Sequence, residues 1–153
     1  SGEIEKIASY VKGDKIKTSD VVKIASQSLE YNVFKAHDLL MKKETAEALR
    51  LLNDVLETEK SPFGVMGLIA AKFRAMYKAR ALIDAKYPQD KAIKLIGGHP
   101  YVAKMALQDA RSFSAEALMD GINTLAKLDY LYKTGQMDVN LSFAKTLMEI
   151  YGA

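Results

Sequence analysis

Cysteine is absent from this chain of 153 residues, and histidine occurs only twice. The lack of cysteine excludes a disulfide framework, a thiolate metal site and a cysteine nucleophile. No uncharged apolar run approaches the roughly 20 residues that a membrane-spanning helix needs, so we expect no membrane association. The first residues, Ser1-Gly2-Glu3, do not resemble a signal peptide. A chain without cysteine suits a reducing compartment, and we expect a cytoplasmic protein.

The common catalytic and nucleotide-binding motifs are missing as well. There is no G-x-x-x-x-G-K-[ST], no H-E-x-x-H and no G-x-S-x-G. His37 lies beside Asp38 in a helical pattern, and adjacent residues point in different directions, so the two form a poor metal pair. We expect His37 to be packed or solvated, and His99 to cap or pack at the start of a helix. The sequence therefore predicts no catalytic residue, cofactor, metal or small-molecule substrate.

Helical periodicity dominates what is present. Hydrophobic residues make up 49% of the chain and charged residues 27%, which is typical of a globular protein. Apolar residues recur at i, i+3, i+4 and i+7 almost throughout, with glycine, proline and serine at the breaks. This pattern predicts about eight helices joined by short turns and no strand, so the fold class is all-α.

Several helix boundaries carry specific signals. Ser61-Pro62 predicts an N-cap followed by proline at the first helical position, and Tyr87-Pro88 ends the same helix. Gly97-Gly98 ends a shorter helix, and Pro100 begins the next one. Ser114 predicts the N-cap of a long helix that follows.

The chain is expected to divide near residues 28–31. Two short helices come first, and the second of them begins at Thr18 or Ser19. They contain too little apolar surface to fold alone. The helices from Asn32 onward can close a bundle of about six. We therefore predict that residues 1–30 are the remnant of one domain and that residues 31–153 form a helical bundle.

The long middle helix has two distinct faces. One arc of about 120° is apolar, whereas the other carries small or basic residues, and residues 61–71 contain no charge at all. An interior glycine costs about 1 kcal/mol relative to alanine, so Gly64 and Gly67 require a reason. Close packing within the bundle is one explanation, and a partner subunit pressing on this face is the other. The apolar arc comprises Val65, Met66, Ile69, Phe73, Met76 and Tyr77, and the candidate interface comprises Phe63, Gly64, Gly67, Ala71, Arg74 and Lys78.

Positive charge is concentrated in the middle of the chain. Residues 61–113 carry nine basic and three acidic side chains, a net charge of +6 within a total of +3. Such an excess can meet a polyanion or an acidic partner, although these residues fall on several helix faces and are equally consistent with a solvated surface.

An alternative interpretation is a DNA-reading helix-turn-helix. Residues 91–107 form a helix, a glycine turn and a second helix, which is superficially similar to that motif. However, Ile93 occupies the position where the motif usually has a small residue. The second helix offers only Lys104, Gln108 and Arg111 for reading bases. A metal or nucleotide enzyme is a third and weaker alternative.

A set of short blocks resembles a known family, the bacterial DNA polymerase III delta subunit, in its C-terminal part. The run from Gly98 to Lys104 followed by the run from Ala110 to Ser114 is the more specific part of this resemblance, which covers nearly the whole chain. The blocks, in chain order, are Asn32-Val33-Phe34, Lys72-Phe73-Arg74, Gly98-His99-Pro100-Tyr101-Val102-Ala103-Lys104, Ala110-Arg111-Ser112-Phe113-Ser114, Asp129 and Lys133-Thr134-Gly135.

The resemblance implies a role in assembly. Delta is a subunit of the clamp loader, which opens the sliding clamp and places it on primed DNA during replication. In this family the helical collar domains pack into a ring that holds the subunits together, and delta does not hydrolyse ATP. By resemblance, residues from about 32 form the collar, and residues 3–28 are the last helices of the AAA+ lid. The expected partners are the other clamp-loader subunits in a hetero-oligomer, with clamp and DNA reached only through the complex.

The motif residues also have a physical interpretation. Pro100 begins a helix that His99 can cap, and Tyr101 and Phe113 bracket that helix and are expected to pack into the bundle. We expect these positions to maintain the fold first and to contact partners second. The structural motif residues are Phe73, His99, Pro100, Tyr101, Arg111 and Phe113.

Overall fold

A computed structural model describes residues 18–59, 62–136 and 139–152 of the chain. These ranges contain seven helices and no strand, which confirms the all-α fold class. The first of the two short helices predicted at the start of the chain and the cap predicted at Ser61 lie outside the described residues. The helices are α1 Thr18–Met41, α2 Thr45–Glu59, α3 Phe63–Asp84, α4 Gln89–Ile96, α5 Pro100–Ala110, α6 Ala115–Lys133 and α7 Val139–Tyr151.

Helix α1 corrects the prediction of two separate helices in this region. Asn32, from which the helices of the bundle were predicted to begin, lies in the interior of one helix of 24 residues. No glycine or proline occurs between residues 18 and 41, so nothing interrupts the backbone hydrogen bonds. Leu29 also packs against the core and supports the helix at the proposed break. The domain boundary near residues 28–31 thus falls within α1, and the division into two domains stays a prediction.

Proline at the start of α3 is displaced from its predicted position by one residue. Pro62 is the N-cap, with φ −80° and ψ −13°, and the helix begins at Phe63. The two later helix starts are as predicted. The His99 Nδ1 atom accepts a hydrogen bond from the Tyr101 backbone N–H at 3.1 Å, and the Ser114 Oγ atom accepts one from the Ala117 N–H at 3.0 Å. Short-range sequence signals therefore locate these two turns correctly.

Helix α3 is the centre of the bundle and contacts α1, α4, α5 and α6. Helix α7 packs on α6 and touches α2, which itself packs along α1. The predicted apolar arc of α3 faces inward: all of its members are buried except Tyr77, which is half-buried. The buried residues of α3 are Val65, Met66, Ile69, Phe73, Met76 and Ala79.

A buried hydrogen-bond network joins three helices that are distant in the sequence. The imidazole of His37 in α1 is fully buried, with Nδ1 2.6 Å from the Tyr151 hydroxyl and Nε2 3.0 Å from Asp109 Oδ2. Because a carboxylate only accepts hydrogen bonds, Nε2 carries a proton and donates to Asp109. In the neutral ring, Nδ1 then accepts the hydroxyl proton of Tyr151. His37 is therefore packed and satisfied rather than solvated.

The aromatic centre of the core leaves no room for a side chain at Gly121 in α6. The fully buried ring of Phe73 meets Tyr151 at 5.2 Å and Phe113 at 5.9 Å between ring centroids. A Cβ atom at Gly121 would lie 2.8 Å from a carbon of the Phe73 ring. The ring cannot move away easily because it is enclosed on its other sides, so Gly121 is needed for close approach of α6 to α3.

Gly121→Ala is expected to lower the free energy of unfolding by about 1 kcal/mol. Overpacking costs about 1–3 kcal/mol, and the better helix propensity of alanine returns up to about 1 kcal/mol. Gly67→Ala in α3 is the matched control. Nothing lies within 4 Å of its Cβ position, so this variant should be stabilised by about 0.5–1 kcal/mol. Urea unfolding monitored by circular dichroism measures both, and two changes of the same sign would contradict this account.

Tyr151 should make the chain sensitive to alkaline pH. Burial, reinforced by the negative charges of Asp109 and Asp38, raises the pKa of Tyr151 well above its ordinary value. Because the pKa of Tyr151 is higher in the folded state than in the unfolded state, the protonated phenol stabilises the fold. This contribution is fully present below the unfolded pKa, near 10, and is lost as the pH rises from there toward the folded pKa. Between pH 9 and 11 the wild type should therefore lose about 1 kcal/mol more stability than Tyr151→Phe.

The control for this measurement is Tyr101→Phe. Tyr101 is 64% exposed and lies outside the buried network of Tyr151, so this variant should follow the wild-type pH dependence. Urea unfolding at fixed pH values measures all three proteins. Parallel curves for the wild type and Tyr151→Phe would show that the phenol of Tyr151 does not control the alkaline transition.

Candidate protein-interaction surface

The candidate interface residues predicted from the sequence share the solvent-facing side of α3. All six are exposed, and the spacing of Gly67, Ala71, Arg74 and Lys78 by four, three and four residues aligns them along the helix. This side lies opposite the buried arc that contains Phe73. We call these residues the α3 outer face: Phe63, Gly64, Gly67, Ala71, Arg74 and Lys78.

The two glycines of the α3 outer face have different environments. A Cβ atom at Gly64 would lie 3.3 Å from Leu29 Cδ2, so this glycine brings α1 close to α3. At Gly67 nothing lies within 4 Å of the Cβ position. Close packing within the described bundle therefore explains Gly64, and it is wrong as an explanation of Gly67. The cost of a glycine at position 67 is not offset by any contact that the described residues make.

Side chains at the two ends of the α3 outer face contact neighbouring helices. The Lys133 ammonium of α6 lies 5.5 Å from the centroid of the Phe63 ring, a cation–π contact. The Lys78 ammonium donates to the Ile96 carbonyl at the end of α4, at 3.4 Å. Between these ends, Arg74 makes no ion pair or hydrogen bond with any residue of the described ranges. The middle of this face is therefore small, open and positively charged at one edge.

The motif residues that carried the family resemblance divide into buried and exposed groups. Phe73 and, in part, Phe113 belong to the core, and Pro100 is the first residue of α5 behind the His99 cap. The prediction that Tyr101 packs into the bundle is wrong, since its side chain is 64% exposed. The next residue, Val102, is 46% exposed. Both lie in the first turn of α5, whereas the inward side of that helix is formed mainly by later, smaller residues.

Helix α5 and its C-cap residue Arg111 carry a second exposed stripe. Tyr101, Lys104, Gln108 and Arg111 are all exposed, and their spacing by three, four and three residues places them on one side. We call these four residues the α5 stripe. Beside it is a cleft of about 190 Å³, lined by Gln89, Lys104, Leu107, Gln108 and Arg111. The sequence indicated the three polar residues of α5, but it gave no sign that Gln89 of α4 joins them.

Carboxylates and a histidine converge at one place in the described part of the chain. His37, Asp38 and Asp109 have potential ligand atoms within 4.8 Å of one another, a geometry that can hold a metal ion. Asp109 comes from α5, so the sequence pair of His37 and Asp38 could not reveal this group. Both ring nitrogens of His37 already have hydrogen-bond partners, in Tyr151 and Asp109. The hydrogen-bond network of the core therefore accounts for the arrangement.

Neither surface contains paired groups suited to proton transfer or nucleophilic attack. The exposed groups of the α3 outer face are small, aromatic or cationic, and those of the α5 stripe are aromatic, amide or cationic. No helix in the described ranges has the length and apolar character required to cross a lipid bilayer. What these surfaces offer is shape and positive charge, which are the properties used in recognition.

The chain is similar in sequence to two bacterial proteins. The chain is 31% identical over 150 residues to DNA polymerase III subunit delta of Bacillus subtilis (strain 168), covering 97% of this chain and 43% of that protein. It is 28% identical over 134 residues to the probable DNA polymerase III subunit delta of Aquifex aeolicus (strain VF5), covering 86% of this chain and 38% of that protein. The chain thus spans less than half the length of either relative.

A solved structure and a family model point the same way. The Bacillus subtilis DNA clamp loader delta protein superposes with a TM-score of 0.73 at 29% identity, covering 99% of this chain and 45% of that one. The model of the DNA polymerase III delta subunit, C-terminal domain, matches residues 30–150. The chain therefore belongs to the family of DNA polymerase III delta subunits, of which it contains the C-terminal domain.

Proposed function

We propose that this chain is a non-catalytic assembly module of the clamp loader. In this role it packs against other clamp-loader subunits, in the complex that loads the sliding clamp onto primed DNA in the cytoplasm. The clamp and the DNA are reached only through the whole complex. We further propose that residues 31–153 are the collar and that residues 1–30 belong to the AAA+ lid. The observation that carries the proposal is the open, small-residue surface around Gly67 on a helix whose other side is the centre of the core.

The small residues of the α3 outer face make it suitable for contact with another helix. The distance between packed helices is about 8–10 Å and depends on the side chains at the contact, so a glycine and an alanine one turn apart allow close approach. Burial of the surrounding apolar surface contributes about 25 cal/mol per Å². Gly67 lowers the intrinsic stability of α3 without any compensating contact in the described chain. A partner surface at this position would supply the missing compensation.

The basic edge of the same face favours an acidic counterpart. Arg74 has no ionic or hydrogen-bonding partner in the described ranges, and Lys78 reaches only a backbone carbonyl. Complementary charge across an interface sets its register and increases the rate of association. The expected neighbour therefore presents small or apolar residues opposite Gly67 and Ala71, with a carboxylate opposite Arg74.

The helix-turn-helix alternative has no specific observation in its favour. The chain belongs to the DNA polymerase III delta family, and its relatives in Bacillus subtilis and Aquifex aeolicus are delta subunits. The α5 residues considered for reading bases line a cleft together with Gln89 of α4, rather than standing free as a recognition helix would.

The experiment is to mix Gly67→Leu with the other purified clamp-loader subunits and to measure assembly by size exclusion and isothermal titration. A leucine at this position meets open space in the chain itself, so its melting temperature should not fall. If the α3 outer face is buried in the complex, the leucine should weaken assembly by about tenfold or more.

Ala126→Leu is the matched control because Ala126 is an exposed small residue in α6, outside the α3 outer face. It should assemble as the wild type does. Equal affinities for Gly67→Leu and Ala126→Leu would exclude the α3 outer face as an interface. Failure of the wild-type chain to join the other subunits at all would overturn the proposed function.

A further inference from the structure

The α5 stripe and its cleft have a chemical character that the fold does not use. We propose that this cleft binds a carboxylate on a protein partner, with Arg111 and Lys104 as the binding cations and Tyr101 as an adjacent contact. The inference rests on the proposed assembly function and adds to it a second docking surface of defined chemistry.

The cleft has the size and lining of a site for one side chain. Its volume is about 190 Å³, and its apolar wall is the buried residue Leu107. Its other lining residues are two with cationic side chains, Lys104 and Arg111, and two with amide side chains, Gln89 and Gln108. Guanidinium and amide N–H groups are donors that match the two oxygens of a carboxylate, and arginine binds such a group through two parallel hydrogen bonds.

The two cations of the cleft are uncompensated by the chain itself. Neither Lys104 nor Arg111 makes an ion pair or a side-chain hydrogen bond within residues 18–59, 62–136 and 139–152. The acidic residue between them in the sequence, Asp109, accepts instead from His37 at 3.0 Å. An anion arriving at the cleft therefore finds two cations that need not be released from other partners.

The side chains of Lys104 and Arg111 are also not needed to cap or pack α5. Pro100 and His99 begin α5, and the buried alanines and Leu107 pack it against the core. The side chains of Lys104 and Arg111 are exposed and do neither. Residues that serve neither capping nor packing, yet converge on one cleft, are better explained by recognition than by folding.

The composition of the stripe favours a protein over a nucleic acid. Tyrosine and arginine are enriched at the energetic centres of protein interfaces, and the exposed Tyr101 lies one helical turn from Lys104. Binding a nucleic-acid backbone uses several phosphate contacts, about 6–10 in strong cases, whereas this stripe contains two cations. The partner segment is therefore expected to carry an aspartate or glutamate next to an apolar side chain.

The first test is the charge reversal Lys104→Glu/Arg111→Glu. Both side chains are exposed, so the melting temperature should be unchanged, and affinity for the other clamp-loader subunits should fall by about tenfold or more. The matched control is Lys91→Glu/Lys94→Glu, which makes the same change of charge at exposed positions of α4 that do not line the cleft. The control should lose much less affinity. Equal losses of affinity in the two variants would show that only the net charge of the chain matters, and this result would overturn the proposed carboxylate site.

The second test identifies the partner group. A water-soluble carbodiimide joins an amine directly to a contacting carboxylate with loss of water, so Lys104 should form an amide with an aspartate or glutamate of one subunit, located by mass spectrometry. Cross-links from Lys91 or Lys94 alone would contradict the proposal. If the charge reversal instead weakened only retention of primed DNA by the assembled complex, the ligand would be nucleic acid and the carboxylate site would be wrong.

These outcomes separate the two proposals of assembly and of the carboxylate site. A wild-type chain that does not join the other subunits refutes the assembly function, and the carboxylate site with it. A wild-type chain that assembles, together with a charge-reversed variant that assembles equally well, refutes only the carboxylate site.

Discussion

The packing of Phe73 is the constraint on which the rest of the bundle depends. Its ring is fully buried in α3 and meets Phe113 after α5, Tyr151 at the end of α7 and the bare backbone of Gly121 in α6. Tyr151 in turn bonds to His37, which brings α1 into the same unit. Because five elements meet here, the inward side of α3 has little freedom to vary. The outward side is not covered by any described residue at Gly67.

The sequence predicted best those features that depend on neighbouring residues. The caps at His99 and Ser114 involve backbone groups two and three residues away, so local chemistry determines them. The inward arc of α3 also follows from spacing alone. The sequence did not predict that α1 is continuous, because asparagine is a common N-cap residue and Asn32 therefore indicated a helix start. The packing of Leu29 against the core depends on distant helices and is not visible in the local sequence. Tyr101 was misplaced because an aromatic residue in a motif was assumed to be buried.

Features that depend on distant residues could not be obtained from periodicity. His37 and Asp109 are 72 positions apart, and His37 and Tyr151 are 114 apart, so their network appears only once the helices are placed. The same is true of Gln89, which reaches the α5 cleft from another helix. The open surface at Gly67 is an intermediate case. Its two explanations were both visible in the sequence. Because no atom of the described residues lies within 4 Å of its Cβ position, packing within the described bundle does not explain it, and contact with a partner stays a prediction.

The two exposed surfaces differ in chemical character, and this difference suits the proposed assembly function. Around Gly67 and Ala71 the surface is small and uncharged, so affinity there depends on shape and on buried apolar area, which mainly govern the rate of dissociation. At Arg111 and Lys104 the surface offers charge, which accelerates encounter and rejects partners of the wrong sign. A subunit that must select its neighbours among similar helical domains benefits from both, because complementary shape alone discriminates poorly between related surfaces.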